Sequence, residues 1–177
     1  VTPMLMIYLN AIETPEEKIK FEELYYRYRG FMLKAVKRVL RGDQDAEDAV
    51  HNAFLSIARN MKILPEMDSP KLKGFLYIVA EHKAIDILRE RKRRENEEPL
   101  DEDAPLCVSA GAGERSLDWC IAQLPPRYQE IILLKYSHGY STREIASILG
   151  VSFQAASKLD QRAKARLREL CEKEELL

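Results

Sequence analysis

Five cations, Lys158, Arg162, Lys164, Arg166 and Arg168, crowd into one stretch near the end of the chain, with Asp160 and Glu169 the only acids among them. Cations at helical spacing neutralise phosphates and release their counterions. Polar neighbours such as Gln154, Ser157 and Gln161 can bond the edges of bases. A second charged group, Asp43, Asp45, Glu47 and Asp48, is anionic. A calcium loop starting at Asp43 needs Gly at 48 and Glu at 54, where this chain has Asp and Phe. These acids instead suit a helix start, where the macrodipole favours negative charge. His82 and Asp86 stand one helical turn apart, but two ligands make no metal centre. Cys107, Cys120 and Cys171 are odd in number and form no C-x-x-C pair, which fits a reduced, cytoplasmic protein better than a disulfide framework or a zinc site. There is no glycine-rich phosphate loop, no nucleophile elbow and no Cys–His pair of diagnostic spacing. The chemistry expected is binding, with no catalysis, cofactor or metal.

The elements that must position the basic stretch are written around it. Ser141 followed by Glu144 is a capping box that starts a helix at Thr142, and Ile145, Ala146, Ile148 and Leu149 give that helix one apolar face. Gly150 ends it where a left-handed residue is wanted. Val151 plugs the turn and Ser152 caps a second helix running to about Cys171. Two helices joined by such a turn form a helix-turn-helix, and Ala146 is small where the two would cross. The plainer reading is an αα-hairpin with a solvated basic face. Cap, small residue, glycine and plug in one register favour the helix-turn-helix, with its second helix in the major groove.

Upstream, Thr14-Pro15-Glu16-Glu17 is a helix start, followed by a wide apolar stripe through Phe21, Leu24, Tyr25, Tyr28, Phe31, Met32, Ala35, Val36, Val39 and Leu40. Gly42 is expected to end that helix and Asp43 or Asp45 to cap the next, whose face is Ala46, Ala49, Val50, Ala53, Phe54, Ile57, Ala58 and Met61. Pro65, Ser69 and Pro70 mark a loop before a long helix, about Lys71 to Arg94, with Leu72, Phe75, Leu76 and Val79 on its core face. Ser116 then caps a short helix through Leu124 that carries Trp119, the only tryptophan. Pro125-Pro126 opens another helix, Arg127 to His138, with Ile131, Ile132, Leu134 and Tyr136 as candidate core, and Gly139 stops it.

With 177 residues, 46% of them hydrophobic, the chain can build one or two small cores. Its net charge of −1 hides a segregation: residues 69–94 hold eight Lys/Arg against three acids, and 95–104 hold six acids and no base. Such blocks mark a binding face and a linker. Few Gly and Pro among long runs of helix formers predict an all-α fold. It should comprise two small helical domains, 1–94 and 117–177, joined by an acidic flexible linker over 95–116, the C-terminal domain being the helix-turn-helix. The run MLMIYL at 4–9 is too short to span a bilayer and has no basic leader, so a short helix packed on the first domain is expected, with no membrane insertion. The opening Val1 fits a GTG start codon or an early truncation.

Two blocks carry a resemblance. DAEDAVHNAFLSI (45–57) and LKGFLYIVAEHKAIDILRERKRR (72–94) resemble the second region of bacterial sigma factors, and LPPRYQEIILLKYSHGYSTREIASILGVS (124–152) resembles their fourth. An acidic linker with no third region is the pattern of the extracytoplasmic-function group of the sigma-70 family. The likeness runs from about Phe21 to Leu170. The resemblance implies that 1–94 binds core RNA polymerase and recognises and melts the minus-ten element, while 117–177 reads the minus-thirty-five element. It places the polymerase-binding surface on Asp45, Glu47, Asp48, His51 and Phe54, with His51 where the family usually has Gln. It places downstream DNA recognition on Lys71, Lys73, His82, Lys83, Asp86 and Arg89. Lys83, Asp86 and Arg89 match the family's pattern, whereas Phe75 replaces a usual Trp and His82 a usual Asn. Upstream recognition falls on Thr142, Arg143, Gln154, Ser157, Lys158, Gln161 and Arg162. In that helix Asp160 stands where an apolar residue is usual.

The partners so implied are core RNA polymerase, promoter DNA and, as a candidate, an anti-sigma factor. Two other readings stay open on the residues alone. One is a helix-turn-helix activator or repressor whose first 94 residues sense or dimerise. The other is a helical scaffold that binds only proteins.

Overall fold

The computed structural model describes residues 2–96 and 116–176, and all regular structure among them is helical. The helices are α1 (Pro3–Asn10), α2 (Pro15–Lys37), α3 (Asp43–Arg59), α4 (Pro70–Asn96), α5 (Leu117–Ala122), α6 (Pro126–Ile132), α7 (Thr142–Leu149) and α8 (Phe153–Lys173). Most of the expected linker, 97–115 with Cys107, lies outside the described residues. Helices α1 to α4 pack on one another in one unit, and α5, α6 and α8 pack on one another in a second. The all-α expectation with two helical domains holds.

In the first unit the apolar stripes meet as their spacing requires. Phe21, Leu24 and Met32 of α2, Phe54 and Ile57 of α3, and Leu72, Phe75 and Leu76 of α4 are all buried, each such side chain contributing about 1.5–3 kcal/mol by leaving water. Helix α1 completes the core as expected, burying Leu5 and Tyr8. The Tyr8 ring lies 5.6 Å from Phe21 and 5.7 Å from Phe54, and Tyr25 lies 5.0 Å from Phe54. Tilted aromatic pairs at such separations add to plain burial.

Two boundaries differ from the sequence reading. Helix α2 ends at Lys37, before Gly42, and Gly42 instead serves as the N-cap of α3, ahead of Asp43 and Asp45. Its φ of −81° and ψ of 133° are extended, so it opens a helix rather than ending one. The left-handed stops are Gly139 (φ 78°) and Gly150 (φ 69°), where a Cβ would be strained.

In the second unit the local caps form as written. Ser116 Oγ accepts from Trp119 N, and Ser152 Oγ from Ala155 N. Ser141 and Glu144 bond reciprocally, at 2.8 Å from Ser141 N to Glu144 Oε2 and 3.2 Å from Glu144 N to Ser141 Oγ. Val151 N reaches back to Ala146 O at 3.0 Å, a six-to-one bond across Gly150 of the Schellman type. The helix expected over Arg127–His138 is not uniform. After Ile132 it widens into a π turn, Leu133–Ser137, closed by His138 N on Leu133 O at 2.9 Å. Ile131, Ile132 and Leu134 are core as expected, but Tyr136 is 56% exposed, because the π turn shifts the helical register after Leu134.

Candidate nucleic-acid and protein interfaces

Helix α8 sorts its residues by face. Ala156, Asp160, Ala163 and Cys171 are buried. Gln154, Lys158, Gln161 and Arg162 are exposed and Ser157 is half-buried. Positions 154, 157, 158, 161 and 162 follow the i, i+3, i+4, i+7, i+8 pattern of one helix face, so the structure brings five of the seven upstream candidates together. The other two begin α7, with Thr142 half-buried and Arg143 exposed. No acid among the described residues pairs with Arg143, Lys158 or Arg162, whereas Arg166 is taken by Glu169 at 2.9 Å. Arg143, Lys158 and Arg162, together with the exposed Arg168 further along α8, are thus cations that no acid among the described residues engages. The start of α8 also carries the positive pole of the helix dipole.

The downstream candidates on α4 do not form one exposed set. Lys71 and Lys73 are exposed near its first turn, while Lys83, Asp86 and Arg89 are half-buried about 15–25 Å further along the axis. His82 is only 2% exposed, with Nε2 3.3 Å from Asp86 Oδ2. The resemblance places it among the DNA-recognising residues; here it is instead a core residue that bonds Asp86. Phe75 is likewise buried, so the ring that stands for the usual Trp packs inward. Asp86 with His82 gains no third ligand: among the described residues no group of three His, Cys, Asp or Glu could hold a metal ion. The basic run at 89–94 is partly spent on internal pairs. Arg91 pairs with Asp45, and Arg93 and Arg94 both bond Glu90, at 2.8 and 3.1 Å. Arg93, then Arg94, hold the Glu90 carboxyl below its usual range.

The acidic candidates line α3. Asp45 sits in the first turn and pairs with Arg91, Glu47 accepts from Arg29 at 2.6 Å, and Asp48 accepts from Gln44 at 3.0 Å. Glu47 and Asp48 remain exposed. His51 Nδ1 lies 2.7 Å from the Tyr8 hydroxyl, and burial pushes the Tyr8 phenol well above its usual range. Phe54 has no exposed surface. Placed on the polymerase-binding surface by the resemblance, it is instead a core residue, enclosed by Tyr8, Phe21 and Tyr25. Sequence reasoning missed Arg29 and Arg91 as partners of the acids and Tyr8 as the cover of Phe54. Pairing between separate helices leaves no mark in the periodicity of either.

Each unit matches a known family. The model of sigma-70 region 2 matches residues 24–94, and that of sigma-70, region 4 matches 114–167. Along its length the chain is similar to the RNA polymerase sigma factor SigZ of Bacillus subtilis, 22% identical over 166 residues that cover 87% of this chain and 88% of the relative. It is 28% identical to the RNA polymerase sigma factor CarQ of Myxococcus xanthus over 156 residues, 85% of this chain and 88% of the relative. With the ECF RNA polymerase sigma factor SigM of Mycobacterium tuberculosis it shares 24% over 164 residues, 92% of this chain and 82% of the relative.

Proposed function

The chain belongs to the sigma-70 family, in its extracytoplasmic-function group, and we infer from this that it directs core RNA polymerase to specific promoters for DNA-templated transcription initiation. The observation that carries this is the order of the matches: region 2 over 24–94 and region 4 over 114–167, on helices that pack in two separate units. A helix-turn-helix regulator would account for the second match and leave the first without a purpose.

The residues divide the work as follows. On α8, Gln154, Ser157 and Lys158 read base edges in the major groove, while Arg143 and Arg162 hold phosphates and set the salt dependence. On α4, Lys71, Lys73, Lys83 and Arg89 supply the electrostatic track for the downstream element, with Asp86 held in place by His82. On α3, the exposed Glu47 and Asp48 steer the encounter with polymerase, with His51 beside them. The chain binds polymerase and DNA, and bond making belongs to the polymerase.

Run-off transcription with purified core polymerase on a promoter library tests this reading. Added protein is expected to produce transcripts from a sequence-defined subset of templates on which core alone is inert. Binding to duplex DNA without any initiation would refute it in favour of a regulator. Among the described residues no helix is long and apolar enough to cross a membrane.

A further inference from the structure

The inward stripe of α8 contains a charge. Asp160 lies between Ala156 and Ala163 on the buried face and is 4% exposed. Lys135 Nζ donates to its Oδ2 at 2.7 Å and the Tyr136 hydroxyl to its Oδ1 at 3.3 Å, with Lys164 Nζ 3.5 Å away on α8 itself. Lys135 and Tyr136 are consecutive residues of the π turn. On a regular helix consecutive side chains diverge by about 100°. Here both reach one carboxylate, and π turns recur at functional positions.

A buried ion pair is a weak source of stability, since desolvation offsets most of its attraction. Its geometry is demanding, however. Rotating α8 by one residue would carry Asp160 away from Lys135 and Tyr136, leaving the buried carboxylate only Lys164 of its own helix. Ala156 and Ala163 are too small to resist such a rotation by shape. The bond to Asp160 holds the Lys135 ammonium above its usual range, against the opposing effect of burial. The same rotation would move Gln154, Ser157 and Lys158, which share the helix with Asp160.

We propose that Asp160, gripped by Lys135 and Tyr136 of the π turn, is a positioning residue that fixes the rotation of α8 and thereby which promoter bases its exposed face selects. The proposal rests on the reading of α8 as the DNA-reading helix, and the experiment separates the two. Holoenzymes carrying wild-type protein, Gln154→Ala, Lys135→Arg, and the double change Lys135→Met with Asp160→Leu select from templates randomised at the upstream element. Thermal unfolding of each variant is followed in parallel. The double variant is expected to unfold cooperatively near the wild-type midpoint, because an apolar pair replaces the ion pair, yet to lose at least fivefold in discrimination between the best site and its single-base variants. Lys135→Arg keeps the pair and should keep the wild-type profile. A folded double variant with the wild-type profile would overturn the proposal, provided Gln154→Ala changes that profile. An unchanged profile in Gln154→Ala refutes the reading of α8 itself, and the proposal with it. Should the double variant not unfold cooperatively, Tyr136→Phe decides in its place. This removes one hydroxyl from a largely exposed ring and leaves the charges paired. A loss of about twofold in discrimination supports the proposal, and an unchanged profile overturns it.

Discussion

Phe54 shows how a single ring changes role when its neighbours are known. Its spacing puts it on the apolar face of α3, and that much was legible in the sequence. That Tyr8, 46 positions earlier, closes over it was not, because nothing local records which helix lies opposite. Phe54→Ala should therefore destabilise the fold by about 3–5 kcal/mol, read as a lowered denaturation midpoint. Asp48→Lys, on an exposed residue beyond the first turn of α3, should leave the midpoint near wild type and weaken polymerase binding in titration. A collapsed helical signal in that variant would assign the acids a capping role instead. On α8 the same logic separates two exposed residues. Gln154→Ala should cost ~1–3 kcal/mol and relax one promoter position. Arg162→Ala should weaken all sequences alike and flatten the dependence of log affinity on log salt by about one unit. Identical specificity profiles for the two would remove this division.

Among the elements, caps were the most legible feature. Thr14, Ser116, Ser141 and Ser152 all accept the backbone N–H that their position calls for, since a cap and its partner lie three residues apart. Glycines were legible only in part: Gly139 and Gly150 are left-handed, and Gly42 is extended as the N-cap of α3. Gly150→Ala should lower stability by about 1–2 kcal/mol through its positive φ, measured by chemical denaturation, whereas Gly42→Ala lacks that penalty. The π turn had no sequence signal, because its extra residue is compatible with the same apolar spacing through Leu134. Just beyond it, burial pushes the Tyr140 phenol up to about 12, with Glu144 adding to the shift. The folded state thus prefers the protonated phenol. Its contribution is complete below the unfolded value of about 10 and is lost as pH rises through about 12. Lys135, also raised, acts in the same direction. Thermal midpoints by circular dichroism should fall across that alkaline window, and Tyr140→Phe should flatten the fall.

For the whole molecule, composition and order of motifs were sufficient to read an all-α chain with two helical domains, because charge segregation and helix punctuation survive without any knowledge of contacts. The segment between them is open to a test of reach. The linker expected over 95–116 is shortened by α4, which runs to Asn96 and leaves twenty residues, 97–116. A chain of that length spans ~68 Å when fully extended and ~25 Å as a relaxed coil, against ~70 Å for DNA elements about two helical turns apart. Removing eight residues from 100–110 should abolish promoter-specific run-off while the helical signal is retained, and undiminished initiation would show that reach is not limiting. The single tryptophan has an optical consequence. Trp119 belongs to α5, while the first unit holds a cluster of phenol rings around Tyr8 and Tyr25. Indole emission therefore watches the second unit alone, and near-ultraviolet tyrosine dichroism watches chiefly the first. The melting of each can be followed in one cuvette without a label.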